Sequence, residues 1–207
     1  TEVGRLAVGN PNAVSSTVKY RNPAEVSQHA WDRLEGAPFG TRGGIVLTHD
    51  FPADGEYAFQ VETTFGEGTT ILHDIDISVD GEPVGQLMLE REGGASNPNR
   101  TEPIFIRAGQ HRVSAAFVRR IEGPYEDRFI PPQWSSANLG NSGANYGMTV
   151  LPHVSELLIT GPGNVDGVSE TETRRKIFTC RPASLADERP CAKKILTELA
   201  TQAYRRP

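Results

Sequence analysis

The sequence is short of long apolar runs, of positive charge and of cysteine, and each shortage narrows what the chain can be. The longest apolar stretches, such as Gly147–Leu151 and Leu157–Thr160, fall far below the roughly 18–20 residues that cross a bilayer. No helical membrane span is expected. Twenty-one Lys and Arg face 26 Asp and Glu, a formal net charge of −5, so the surface as a whole does not draw nucleic acid or an anionic membrane. Cysteine is limited to Cys180 and Cys191. Haem attachment needs Cys-x-x-Cys-His and zinc needs more thiolates or clustered histidines, so no haem or zinc is expected in this chain. The histidines, at 29, 49, 73, 111 and 153, stand apart without metal-ligand spacing. No Gly-x-Ser-x-Gly elbow, phosphate loop or dinucleotide fingerprint occurs, and Thr41-Arg42-Gly43-Gly44 reads as a turn carrying an arginine. A non-catalytic role is expected.

What the sequence does have is turn residues, 21 Gly and 15 Pro in 207 positions, between short stretches of alternating polarity. Gly44–His49 runs into Pro52-Ala53-Asp54-Gly55, and Glu56–Thr63 then alternates Tyr57, Phe59 and Val61, which reads as a hairpin. Ile71–Val79 puts Ile75, Ile77 and Val79 on one face and Asp74, Asp76 and Ser78 on the other, and Asp80-Gly81 turns the chain into Val84–Leu89. Pro103–Arg107, turning at Ala108-Gly109 into His111–Arg119, reads as a second hairpin, and Thr149–Thr160 closes the series. About eight such strands with one long insertion predict a mostly β fold, an antiparallel β-sandwich of jelly-roll type with a short C-terminal helical extension. A β-barrel is the alternative.

Charge divides the chain. Residues 1–168 carry 12 basic and 21 acidic side chains, whereas 169–207 carry 9 and 5. The junction Gly161-Pro162-Gly163-Asn164-Val165-Asp166-Gly167 suits a linker, placing a boundary within 161–168: a sandwich domain over 1–163, then 164–207 as linker, disulfide loop and start of a helical domain. In the tail, Ser169-Glu170-Thr171-Glu172 suggests a capped helical turn ending before Ile177-Phe178. Pro190, after Asp187 and Glu188, suits the first position of a helix whose stripe is Ile195, Leu196, Leu199, Ala200 and Ala203. The chain opens on Thr1 without an initiator Met and stops at Pro207 with the stripe still running, so a fragment is expected whose last helix meets a further domain.

Cys180 and Cys191 are separated by polar, turn-rich sequence and are expected to pair rather than stay as two free thiols. The loop of about a dozen residues corresponds to roughly 3 kcal/mol in the chain-entropy model. A disulfide implies an oxidising compartment, periplasmic or extracellular. Asp74 and Asp76, with Asp80 following, line up carboxylates at two-residue spacing, and hard oxygen donors of this kind suit Ca²⁺. The plainer alternative is a solvated strand face, because such carboxylates stand about 7 Å apart. Glu122, Glu126 and Asp127 in the insertion are equally good donors. That insertion, Glu122–Tyr146, carries Tyr125, Trp134 and Tyr146 among Asn138, Asn141 and Asn145. Aromatic rings stack on sugar C–H faces while amides bond hydroxyls, so a glycan is a candidate ligand, with burial of the rings as the alternative.

Two separated blocks carry a resemblance. Leu34-Glu35-Gly36-Ala37-Pro38-Phe39-Gly40-Thr41-Arg42-Gly43-Gly44 precedes the Phe51–Tyr57 turn, and Arg174-Arg175-Lys176-Ile177-Phe178-Thr179-Cys180-Arg181-Pro182 precedes Cys191-Ala192-Lys193-Lys194-Ile195-Leu196 and Ala203-Tyr204-Arg205-Arg206-Pro207. In this order they resemble large secreted, planctomycete-type cytochrome c-associated multidomain proteins. In that family the β-rich part is similar to a calcium-dependent, xylan-binding carbohydrate-binding module, and the helix after the second Cys opens a helical domain. The resemblance implies a carbohydrate-binding module of an exported protein, with polysaccharide, Ca²⁺ and neighbouring domains as partners and haem carried elsewhere. A structural domain that scaffolds a redox or surface assembly is the alternative, and a hydrolase with paired carboxylates a weaker third, for which the sequence names no pair.

Overall fold

The computed structural model describes residues 2–10, 12–23, 26, 28, 32–64, 73–89, 99–119, 152–165 and 167–205. A short helix, α1 (Glu2–Val8), precedes eight strands: β1 (Ser16–Arg21), β2 (Thr41–Phe51), β3 (Gly55–Thr64), β4 (His73–Val79), β5 (Glu82–Leu89), β6 (Ile104–Ile106), β7 (Gly109–Val118) and β8 (His153–Gly163). Helices α2 (Glu172–Ile177) and α3 (Leu185–Tyr204) follow. The strands form two four-stranded sheets, sheet I in the order β1-β8-β3-β6 and sheet II in the order β2-β7-β4-β5, with every pairing between them antiparallel. This is the jelly-roll order, and two separate sheets replace the barrel alternative. Between them lies one core to which both contribute, including Phe59, Val61, Leu157 and Ile159 from sheet I and Ile75, Ile77, Val113 and Phe117 from sheet II.

The order corrects both expected hairpins. Strands β2 and β3 lie in opposite sheets, as do β6 and β7, so the 52–54 and 107–108 segments arch between layers instead of turning within one. The physical reason lies in side-chain bonds across the arches. Tyr57, fully buried, donates its hydroxyl to the Ala53 carbonyl at 2.8 Å, a tyrosine corner, and burial pushes that phenol up to about 12. The Asp54 carboxylate accepts the Ala108 N–H at 2.7 Å and so ties one arch to the other. The one tight hairpin among the described strands is β4–β5, where Asp80 (φ 53°) and Gly81 (φ 88°) form the two-residue loop between paired Val79 and Glu82. Two positive φ values in succession suit the right-handed twist of the flanking strands.

Strand β1 and helix α1 are additions that alternation did not reveal. β1 is an exposed edge strand, Ser-Thr-Val-Lys-Tyr-Arg, held to β8 by register rather than by burial. Thr41–Gly44 is also no turn: it starts β2 and contains a bulge between Arg42 and Ile45, with Gly43 and Gly44 at φ 50° and 90°. Strand β8 runs through Gly161-Pro162-Gly163, the first part of the expected linker, across a cis Gly161-Pro162 bond.

In the tail Thr171, not Ser169, caps α2 by accepting the Arg174 N–H at 3.1 Å, while the buried Ser169 hydroxyl accepts the Asp54 N–H at 2.6 Å. Helix α3 begins at Leu185, so Pro190 sits inside it rather than at its first position, with Asp187 and Glu188 in its first turn. Cys180 and Cys191 form a disulfide that ties the segment before α3 to its second turn. Of its apolar stripe only Ile195 is buried; Leu196 and Tyr204 are 65% and 77% exposed. No helix among the described residues is long and apolar enough to cross a membrane.

Candidate functional site

Strand β4 places Asp74 and Asp76 on the outward face of sheet II, because Ile75, Ile77 and Val79 take the core side. Both are half-buried. Partial burial, reinforced by the charge of Asp74, pushes the Asp76 carboxyl above its usual range. The next position outward, Ser78, is 1% exposed and its hydroxyl bonds that of equally buried Ser114 across β4 and β7 at 2.6 Å. The outward face is therefore covered at its centre. Asp80, expected to extend the carboxylate row, is instead turned away by its positive φ: it holds His111 Nδ1 at 2.6 Å and accepts the Arg112 N–H at 2.9 Å. These bonds, chiefly the one to His111, outweigh desolvation and keep the Asp80 carboxyl below its usual range. Among the described residues no group of three or more His, Cys, Asp or Glu is placed to hold a metal.

Tyr125, Trp134, Asn141 and Tyr146, and the donors Glu126 and Asp127, lie outside the described residues. Asp74 and Asp76 are thus the members of the expected ligand set whose positions are described.

At the β2 bulge a polar cluster links the two layers through side-chain hydrogen bonds to Gly44 in β2 and Val154 in β8. The buried Gln28 carboxamide oxygen accepts the N–H groups of Gly44, in β2, and Val154, in β8, at 3.0 and 2.8 Å, and its nitrogen donates to the Val154 carbonyl at 3.0 Å. Asn22 donates to the Gly44 and Val154 carbonyls at 2.7 and 3.0 Å. The Arg42 guanidinium lies over the Phe117 ring, 4.3 Å from its centroid, and burial brings its pKa down to about 10. It reaches the Gln28 and Pro152 carbonyls and His73 Nδ1 only at 3.4–3.5 Å. Sequence reasoning missed Gln28 and Asn22, because each is a lone amide in an irregular segment.

His49 joins the two sheets at another point, with Nδ1 2.7 Å from the Tyr20 hydroxyl and its ring edge-on to Phe51. Burial lowers its pKa, partly opposed by Asp50. Because the folded value lies below the unfolded one of about 6.5, this histidine's contribution to stability is complete above that pH and is lost as pH falls through the lowered folded value. Urea midpoints measured from about pH 7.5 down to 5 should therefore fall less in His49→Phe than in the parent. Equal falls in both would show that His49 is not the titrating group.

The outward face of sheet I is polar, exposed along β1, half-buried at Leu158, Thr160 and Gln60 and closed at Ala58. The register sets Lys19, Leu158 and Gln60 side by side, and Thr17, Thr160 and Ala58 in the next row. Glu156 bridges Lys19 and Arg21. Phe105, opposite Glu56 on β6, is 63% exposed. The other exposed rings among the described residues are Phe39, which the Arg33 guanidinium covers at 4.6 Å, and Tyr204 on α3.

No family model matches this chain, and no curated protein does. Among solved structures it is similar to one described as "EclA C-terminal domain; sugar-binding protein", at 13% identity and a TM-score of 0.32, over 72% of this chain and 79% of that one.

Proposed function

We propose that this chain is a non-catalytic carbohydrate-binding module of an exported, cytochrome-associated multidomain protein, and that Ca²⁺ assists its binding. The observation that supports this reading is the pair Asp74 and Asp76, two half-buried carboxylates on the outward face of a jelly-roll sheet, where burial and the charge of Asp74 push the Asp76 carboxyl above its usual range. A bound cation relieves that repulsion. The pair fits calcium in donor chemistry and supplies two of the six to eight oxygens the ion takes, the remainder coming from water, carbonyls or the insertion carboxylates Glu126 and Asp127. Tyr125, Trp134, Asn141 and Tyr146 are the proposed sugar contacts. The disulfide is compatible with secretion into a periplasmic or extracellular space.

The test is calorimetric titration with xylan and other glycan oligomers, in calcium and then in chelator. Heat that calcium adds and chelator removes supports the reading. At about a hundred times its dissociation constant, calcium should stabilise the parent by ~2.7 kcal/mol and leave Asp74→Asn/Asp76→Asn unchanged. An unchanged melting temperature in the parent overturns the calcium site, and no heat with any glycan overturns the module. A second reading, an interaction domain that scaffolds an assembly, is favoured by one observation, the exposed Leu196 and Tyr204 on α3. Glycan silence together with a partner-dependent rise in melting temperature would select it.

A further inference from the structure

The two sheets end in four edge strands, and three of them are closed to further pairing. Strand β5 carries Pro83 and a register shift against β4, and β6 is only three residues long. Strand β2 is bulged at Gly43-Gly44 and bridged there by Arg33. Proline, brevity and bulges are the devices that keep a sheet edge from recruiting another strand. Strand β1 has none of them. Its six residues run in unbroken one-to-one register with β8, and residues 14–19 are all exposed. The Asn22 N–H donates to the opposite Ser155 carbonyl at 2.8 Å, so by alternation the even-numbered residues of β1 are the ones bonded to β8. The N–H and C=O groups of Thr17, Lys19 and Arg21 therefore point off the sheet, where among the described residues no backbone group meets them.

From this open edge we infer that β1 is a docking strand for a second copy of the chain, antiparallel β1 against β1 about a two-fold axis, joining two copies of sheet I into one continuous sheet. A second copy fits because the strand is its own complement. Centred on Val18, the pairing sets Thr17 of each copy opposite Lys19 of the other, and each such pair exchanges two backbone bonds through the groups left open. Val18, 37% exposed, then meets its own copy on the core side, and Ser16 meets Tyr20. The register centred on Lys19 sets two lysines directly opposite each other and is disfavoured. A lysine on an edge ordinarily discourages pairing. Here Lys19 and Arg21 point to the outward face, where Glu156 of their own sheet bridges both, and the core-side Ser16, Val18 and Tyr20 carry no charge. The two-fold stands perpendicular to the joined sheet, so the outward faces of both copies of sheet II look the same way. Two Asp74–Asp76 sites would then meet one polymer together, a consequence that rests on the carbohydrate-binding reading, whereas the pairing itself does not.

The test is sedimentation equilibrium of the parent chain across the micromolar range, where an interface this small should associate. The average mass should rise with concentration toward twice that of the chain. Thr17→Pro removes an N–H that bonds nothing in the single chain, so it should weaken association at least about tenfold and leave the melting temperature of dilute protein unchanged. Val18→Cys sets two cysteines opposite each other with α-carbons about 4.5 Å apart, within disulfide reach, and should form a covalent dimer in oxidised glutathione, whereas Lys19→Cys should not. The cysteine variants decide the matter if the proline variant fails to fold. A parent that stays monomeric up to about 1 mM overturns the pairing. So does a dimer that Thr17→Pro leaves intact, one that Lys19→Cys cross-links and Val18→Cys does not, or one that Leu196→Glu dissolves, which places the contact on α3. Glycan binding by a chain that stays monomeric leaves the module reading standing while the pairing falls.

Discussion

Gly44→Ala is expected to lose roughly 3–5 kcal/mol of folding stability, enough to unfold much of a marginally stable domain. A β-carbon at this position would lie 2.1 Å from the Ala115 carbonyl oxygen and 2.6 Å from the Ala116 α-carbon, both backbone atoms of the adjacent strand β7. Side chains can rotate out of such a clash, but a paired strand cannot. The Gly44 φ of 90° adds strain for any residue with a β-carbon. Nearby Gly40, also at positive φ, has nothing within 4 Å of its would-be β-carbon, so Gly40→Ala meets only the backbone strain and should cost about 1–2 kcal/mol. Urea unfolding of both variants measures the contrast. A Gly44→Ala loss below about 1 kcal/mol would show that β2 does not approach β7 so closely.

Gln28→Ala should lose about 2–5 kcal/mol. The carboxamide is 5% exposed, and its oxygen is the acceptor given to two backbone N–H groups, Gly44 and Val154, in strands of opposite sheets. Truncation strands both donors in a buried setting at about 1–3 kcal/mol each, less whatever water enters the space. The Val154 carbonyl keeps its bond from Asn22. Because both amides serve that carbonyl, Asn22→Ala combined with Gln28→Ala should cost more than the sum of the single losses, a coupling readable by a double-mutant cycle. Additive losses would argue that the two amides act independently and that the layers are held together at this end by the core alone. Gln28→Glu distinguishes packing from bonding: it keeps the acceptor and the size, but it places a charge where burial is nearly complete and so should not restore stability.

How much of this was legible beforehand depended on whether the signal was local. The strand faces could be read directly, since a side chain alternates sides at every residue: Ile75 and Ile77 inward oblige Asp74 and Asp76 outward, and Ile104 and Ile106 inward oblige Phe105 outward. The disulfide was legible because only two cysteines are present, with a short polar loop between them. The Asp80-Gly81 turn was legible because its residue types match the backbone it needs. By contrast, the candidate site was legible only as residue types. That Asp80 leaves the carboxylate row to hold His111 follows from a backbone angle and a cross-strand neighbour 31 positions away.

The sequence by itself therefore determined which strand faces are apolar, the Asp80-Gly81 turn, the acidic sandwich with its basic tail, and the absence of familiar catalytic signatures. Only the tertiary structure decided which layer each strand joins. Pro52-Ala53-Asp54-Gly55 and Ala108-Gly109 have the composition of hairpin turns, yet both connections arch between sheets. The difference resides in side-chain bonds that turn composition does not reveal: the local Tyr57 to Ala53 bond within the first arch, and the long-range ones, Asp54 to Ala108 and Gln28 to Val154. A turn's residues restrict how the backbone bends, but whether the next strand pairs with its predecessor or crosses over is settled by where each apolar face finds a partner. In a jelly roll that partner lies in the opposite layer.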